Sequence, residues 1–306
     1  MRRVVFVSLV IAALLLSACG STPEPTKAPD ATQVPAAEPT KAPAVESTKV
    51  SAGLSGKLSL AGSTTVQPLA EVLAETFMET NPDLVIEVQG GGSSVGVTSA
   101  GEGTVDIGTA SRAIKDSELQ QFSDLQVFTI AYDGIAIVTN PDIELPSLSV
   151  EQVRGIFAGE IANFSEVGGP DAPITVVSRE EGSGTRAAFE ELVMAYKDAA
   201  GEGQEKLITE NALLQQSNGQ VRTTVATTPN TIAYISFGFL DESVAPVPID
   251  GVAPTSDNVK SGDYPIFRPL NLLTKGAPSE LAQAFLDFIL SDAGQEIVSE
   301  DYINVK

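Results

Sequence analysis

A chain of 306 residues with 40 acidic and 18 basic side chains, a net charge of -22, one Cys and no His or Trp excludes several kinds of chemistry by count alone. Without His there is no Ser/His/Asp or Cys/His nucleophile system, no HExxH zinc site and no imidazole-bound haem or copper, and a lone Cys makes no internal disulfide, CxxC redox pair or Cys-rich metal centre. The acidic balance argues against nucleic acid as a partner, which needs clustered Lys and Arg, while the length holds roughly two domains and 42% hydrophobic residues supply packed cores.

Met1-Arg2-Arg3 is a positively charged start, followed by an apolar run over Val4–Leu16 that is too short to span a bilayer comfortably. Leu16-Ser17-Ala18-Cys19 resembles the lipobox of bacterial lipoproteins, with small residues at a cleavage point and then a Cys to take the lipid; an ordinary secretory signal with a coincidental Cys is the alternative. On the lipobox reading residues 1–18 are a signal peptide, and Cys19 anchors the protein to the outer face of the cell membrane. Cleavage removes Arg2 and Arg3 and leaves 16 basic against 40 acidic side chains, a net charge of -24. From Gly20 to Val50 the chain is mostly Pro, Thr, Ala, Glu and Lys, too poor in large apolar groups to offset its ordering entropy, so residues 19–55 read as the lipidated Cys and a disordered tether. Glu24-Pro25-Thr26-Lys27-Ala28-Pro29 recurs as Glu38-Pro39-Thr40-Lys41-Ala42-Pro43, a duplication whose prolines stiffen the linker.

Beyond about Gly56, strand and helix patterns alternate. Lys57–Ala61 predicts a strand and Val66–Met78 a helix with Val66, Leu69, Ala70, Leu73 and Phe77 on one face. Strands are expected at Leu84–Val88 and Val105–Thr109, a short helix at Glu118–Phe122, and a long apolar run at Phe128–Thr139 broken by Tyr132-Asp133-Gly134. Ile174–Ser178 predicts a strand feeding a helix over Thr185–Tyr196, and Ser279–Leu290 a late helix. Such alternation predicts an α/β fold with mostly parallel pairing.

Four of the joining loops share one composition, small hydroxyl residues and glycines at or near a helix start: Gly62-Ser63-Thr64-Thr65, Gly90-Gly91-Gly92-Ser93-Ser94, Thr109-Ala110-Ser111-Arg112, and Ser178-Arg179-Glu180-Glu181-Gly182-Ser183-Gly184-Thr185-Arg186. Helix N-termini offer unpaired N–H groups, Gly permits close approach to the backbone, and hydroxyls add donors; with one Arg this is equipment for enclosing a small oxyanion. Taken singly, each loop also reads as a plain helix cap. The glycine runs lack the spacing of a Walker loop or a dinucleotide fingerprint, and Gly182-Ser183-Gly184 is not a GxSxG elbow.

The order of these motifs, with Val105-Asp106-Ile107-Gly108, Thr231-Ile232-Ala233-Tyr234-Ile235-Ser236 and Tyr264-Pro265-Ile266-Phe267-Arg268-Pro269-Leu270, resembles the phosphate-binding lipoproteins that feed phosphate ABC importers, from about Gly56 to the C-terminus. The resemblance implies a two-lobed periplasmic-binding-protein type II (Venus-flytrap) fold, each lobe a mixed sheet flanked by helices, with hinge strands near Ile130–Val138 and Tyr264–Leu272. Lobe one would hold residues 56–132 and 265–306, and lobe two residues 133–264. It implies phosphate contacts from Thr64 and Thr65, from Ser93, and from Arg179, Ser183, Gly184 and Thr185, with Ser63 and Ser94 as neighbours and Glu181 holding the Arg179 fork. Arg186, inside the first helical turn, is expected to point outward or pair with a carboxylate.

In one place the chain departs from the better-known branch, whose Asp accepts the proton of hydrogen phosphate: here the stretch reads Gly108-Thr109-Ala110-Ser111-Arg112. Ser111 could accept that proton and Arg112 add a second charged donor, or Arg112 could form a surface salt bridge. The expectation is a monomeric receptor without metal or cofactor that hands inorganic phosphate to permease subunits and performs no chemistry on it. The alternatives are a receptor for sulfate or molybdate and, from another class, a cell-surface phosphoester hydrolase using Ser183 with Asp106 or Asp133 as the candidate carboxylates.

Overall fold

The computed structural model describes residues 53–306, so the expected signal peptide, lipidated Cys19 and tether over 19–55 lie outside the described residues, save for the last three of them. β1 (Ser55–Gly62) leads into α1 (Val66–Glu79), β2 (Asp83–Gln89) into α2 (Ser93–Glu102), and β3 (Ile107–Ala110) into the short α3 (Asp116–Gln121). The apolar stripe of α1, continued by Ala74, packs on Leu58 and Leu60 of β1 and Leu84 and Ile86 of β2. The long β4 (Leu125–Thr139), α4 (Val150–Phe157) and β5 (Thr175–Arg179) follow, then α5 (Gly184–Phe189), β6 (Ala195–Lys197), β7 (Gly203–Glu205) and β8 (Leu213–Gln215). The chain ends with α6 (Asn218–Thr227), β9 (Thr231–Ser236), β10 (Ala245–Val247), α7 (Ser256–Lys260), β11 (Phe267–Lys275), α8 (Glu280–Ile289) and α9 (Asp292–Asp301). No helix among the described residues is long and apolar enough to cross a membrane.

The main sheet runs β2-β1-β3-β11-β4-β9-β5-β8, with β10 also on β4. Parallel pairing holds on the flanks, where β1 pairs with β2 and β3, and β5 with β8 and β9. The centre is antiparallel, because β4 and β11 carry the chain between two halves with separate cores. Residues Leu125–Gly134 of β4 pair with β11, and Ile135–Thr139 with β9. The less apolar Tyr132-Asp133-Gly134 lies inside the continuous β4, which contains the hinge strand expected near Ile130–Val138: Asp133 is buried and ion-paired with its register partner Arg268 on β11, and a Cβ on Gly134 would overlap the Phe237 ring.

The helix expected over Thr185–Tyr196 is shorter. At Glu190 α5 gives way to a π-helical turn through Met194, and Ala195–Lys197 pairs with β7. The cause is local: Arg154 Nε donates to Val193 O at 2.7 Å, an acceptor the next helical turn would need, and its guanidinium lies 4.5 Å from the Tyr196 ring centre. In the other half, a Cβ on Gly96 of α2 would overlap the backbone of Thr109, so the helix rests directly on the sheet and brings Ser93 beside Ser111.

Candidate functional site

The parallel strands β1, β2, β3, β5 and β8 all end toward loops that open helices, which is where ligands bind in open α/β sheets. In the loop after β1, Ser63 Oγ accepts from Thr65 N at 3.1 Å and Val66 N at 3.2 Å, capping α1. That leaves the next two hydroxyls for the facing half: Thr64 Oγ1 accepts from Arg179 Nη2 at 3.1 Å, and Thr65 Oγ1 stands 3.2 Å from Thr185 Oγ1. Ser93 Oγ accepts from Ser111 N at 3.0 Å and lies 3.3 Å from Ser111 Oγ. Ser183 Oγ accepts from Arg186 N at 3.3 Å as the cap of α5, and a Cβ on Gly184 would overlap the Ser93 and Ser111 hydroxyls. The amides of Gly184 and Thr185 precede that cap bond and have no intrahelical acceptor. Thr64, Thr65, Ser93, Ser111, Arg179, Ser183, Gly184 and Thr185 are thus brought together, all but Thr64 buried.

Arg179 is 1% exposed at the end of β5. Its Nε and Nη2 donate to the two oxygens of Glu180 at 2.9 Å each, to Gln215 O at 3.1 Å and Gln216 O at 3.2 Å, while Nη1 reaches Thr185 Oγ1 at 3.4 Å. The carboxylate holding the fork is therefore Glu180, and not Glu181, which is exposed. Glu180 N donates to Gln215 O, continuing the β5–β8 ladder by one residue and laying the Glu180 side chain along the guanidinium. Behind Arg179, Tyr234 OH accepts from its backbone N at 3.3 Å; burial pushes that phenol up to about 12, so it stays protonated. Arg186 pairs with Glu190 at 2.8 Å and donates to Arg179 O.

Ser94 and the buried Arg112 line, with Glu181, Ser183, Arg186 and Glu190, a cavity of about 270 Å3 that adjoins the cluster. The Arg112 fork is taken by both oxygens of Glu118 at 2.7 and 2.8 Å, and Nη2 is 3.5 Å from Ser94 Oγ. Against the cost of its burial, the Arg112 guanidinium and the Lys115 amide hold the Glu118 carboxyl below its usual range. Ser94 N donates to Gly182 O at 3.1 Å, joining the second loop to the fourth.

Three further buried residues complete the cluster. Asn218 Nδ2 donates to Thr65 Oγ1 at 2.8 Å, and Arg268 Nη2 reaches the same oxygen at 3.3 Å. Asp133 accepts from Arg268 Nε and Nη2 at 3.0 and 2.8 Å, from Ser236 Oγ at 2.9 Å and from Phe237 N at 3.1 Å. Burial pushes the Asp133 carboxyl up and the Arg268 guanidinium down, each countered by the other's charge. The loop Gln216-Ser217-Asn218-Gly219 has the same small polar composition as the other four, and two opposite charges inside apolar strand sequences signal a buried pair.

The arrangement offers donors converging from both halves and no activated nucleophile. Ser183 Oγ accepts a backbone N–H, Asp133 is filled by four donors, and Asp106 accepts from Ser59 N and Oγ at 2.8 and 2.7 Å. Residues 37–293 match the PBP superfamily domain. The chain is 36% identical over 248 residues to the phosphate-binding protein PstS of Bacillus subtilis, an alignment covering 81% of this chain and 79% of that one. The chain belongs to the phosphate-binding-protein family. A protein from Clostridium perfringens assigned as a phosphate ABC transporter substrate-binding protein and solved with bound phosphate is 41% identical, with a TM-score of 0.75 over 82% of this chain and all of that one. An ABC-type phosphate transport receptor from Vibrio cholerae is 34% identical, with a TM-score of 0.67 over 80% of this chain and 99% of that one. The mixed α/β fold matches those of these phosphate-binding proteins, and the sheet order above places the hydroxyl cluster where its two halves meet.

Proposed function

We propose that the protein is an extracytoplasmic receptor that encloses inorganic phosphate between its two lobes and delivers it to the permease of an ABC importer, without chemistry on the ligand. The observation that carries this reading is Arg179, a buried guanidinium that reaches Thr64 and Thr185 from opposite sides of the cluster in a chain 41% identical to a protein solved with phosphate. The lobes would be residues 56–132 with 265–306, and residues 133–264, moving about β4 and β11. Thr64, Thr65, Ser93, Ser111, Ser183, Gly184 and Thr185 would line the anion, with Ser63, Ser94 and Arg112 supporting the loops around it. The protein would act as a monomer held to the outer face of the cell membrane through lipid on Cys19.

A ligand bound only by the folded, closed form stabilises it by about 4 kcal/mol at a thousandfold excess over Kd. Phosphate is therefore expected to raise the melting temperature of the ligand-stripped protein, and no rise would contradict the reading. Sulfate is the discriminating arm. Both oxygens of Glu180 and of Asp133 are taken by protein donors, so selectivity rests on hydroxyls that can turn to accept the proton of hydrogen phosphate. An equal rise with sulfate would make this a receptor for tetrahedral oxyanions in general.

A further inference from the structure

Among the described residues, the one buried side-chain polar atom without a hydrogen-bond partner is Arg268 Nη1. The rest of that guanidinium is fixed: Nε and Nη2 are held by Asp133 Oδ2, and Nη2 also touches Thr65 Oγ1. Asp133 is itself pinned through Oδ1 by Ser236 Oγ and Phe237 N, and it faces Arg268 as its register partner across β4 and β11. The fork is thus locked in one orientation, 2% exposed, beside a threonine whose hydroxyl also meets Thr185 and Asn218. A charged donor buried without an acceptor is costly, so a donor held in place this firmly requires a partner that the protein's own polar groups do not supply.

We propose that Arg268 is a second ligand-binding cation, whose Nη1 donates to an oxygen of the bound tetrahedral oxyanion from the side of the crossing strands. Arg179 serves it from the β5 loop, and each guanidinium is balanced by a carboxylate, Glu180 or Asp133. Asp133 is a positioning residue: with four donors on its two oxygens it has no lone pair left for the ligand and acts by aiming Arg268. The proposal rests on the oxyanion-receptor reading above.

The test is isothermal titration of inorganic phosphate into ligand-stripped wild type, Arg268→Lys, and the double variant Asp133→Asn with Arg268→Gln, alongside melting of each protein without ligand. The double variant replaces the ion pair by neutral groups, so no buried charge is left unpaired. It is expected to weaken phosphate binding at least about thirtyfold. Arg268→Lys keeps the pair with Asp133 but cannot present a second fixed fork nitrogen, and a loss of at least about tenfold is expected. A folded double variant, or a folded Arg268→Lys, that binds within about threefold of wild type overturns the proposal. Should the double variant not fold, Arg268→Lys decides alone. Failure of wild type itself to bind phosphate would instead sink the receptor reading, so the two failures are distinguishable.

Discussion

Arg179→Ala is expected to weaken phosphate binding at least about a hundredfold, roughly 2.7 kcal/mol, while Arg186→Ala costs far less, although both flank the same Gly-Ser-Gly-Thr loop. Arg179 is buried and oriented by Glu180 and two carbonyls, and a charge-assisted hydrogen bond in such a place contributes about 1.5 to 3 kcal/mol. Its loss also leaves Glu180 uncompensated beside the anion. That residue is partly exposed and can turn to water, so the fold should survive the substitution. Arg186 lies 29% exposed with its charge matched by Glu190, an i,i+4 pair worth little at a surface. Titration calorimetry of the two variants decides: comparable losses would mean that Arg179 does not face the ligand.

Gly184→Ala is the second large effect. A methyl group there would occupy the space of the Ser93 and Ser111 hydroxyls, which belong to the facing half of the molecule. Overpacking costs about 1 to 3 kcal/mol, here charged to the closed form alone, so affinity should fall by about tenfold or more. Because the overlap exists only where the loops meet, the ligand-free melting temperature is expected to stay unchanged while the phosphate-induced rise shrinks. A variant with lower ligand-free stability and wild-type affinity would place the glycine in a purely structural role.

How much of this was legible in sequence depended on the kind of signal. The strands and helices around the first three loops follow from periodicity, as in Val66, Leu69, Ala70, Leu73 and Phe77 on one face of α1. That the loops converge was foreshadowed by their shared composition at helix starts, and ordinary capping accounts for part of it, since the Ser63 and Ser183 hydroxyls are both engaged by their own helices. The choice of Glu180 over Glu181 was out of reach, because it turns on side-chain direction at a strand end. Asn218 follows a strand of three residues, too short to show a period. Asp133 and Arg268 carry a visible signal, a charge inside each of two apolar strands, but their pairing depends on the register between β4 and β11, which periodicity within each strand does not give.

The central claim, that this chain encloses phosphate in the cluster built around Arg179, is tested most directly by 31P NMR of the ligand-stripped protein given one equivalent of inorganic phosphate. The expected result is a single bound resonance displaced from that of free phosphate, persisting in excess sulfate, returning to the free position on denaturation, and lost in Arg179→Ala. A spectrum showing only free phosphate with folded wild-type protein would contradict the account.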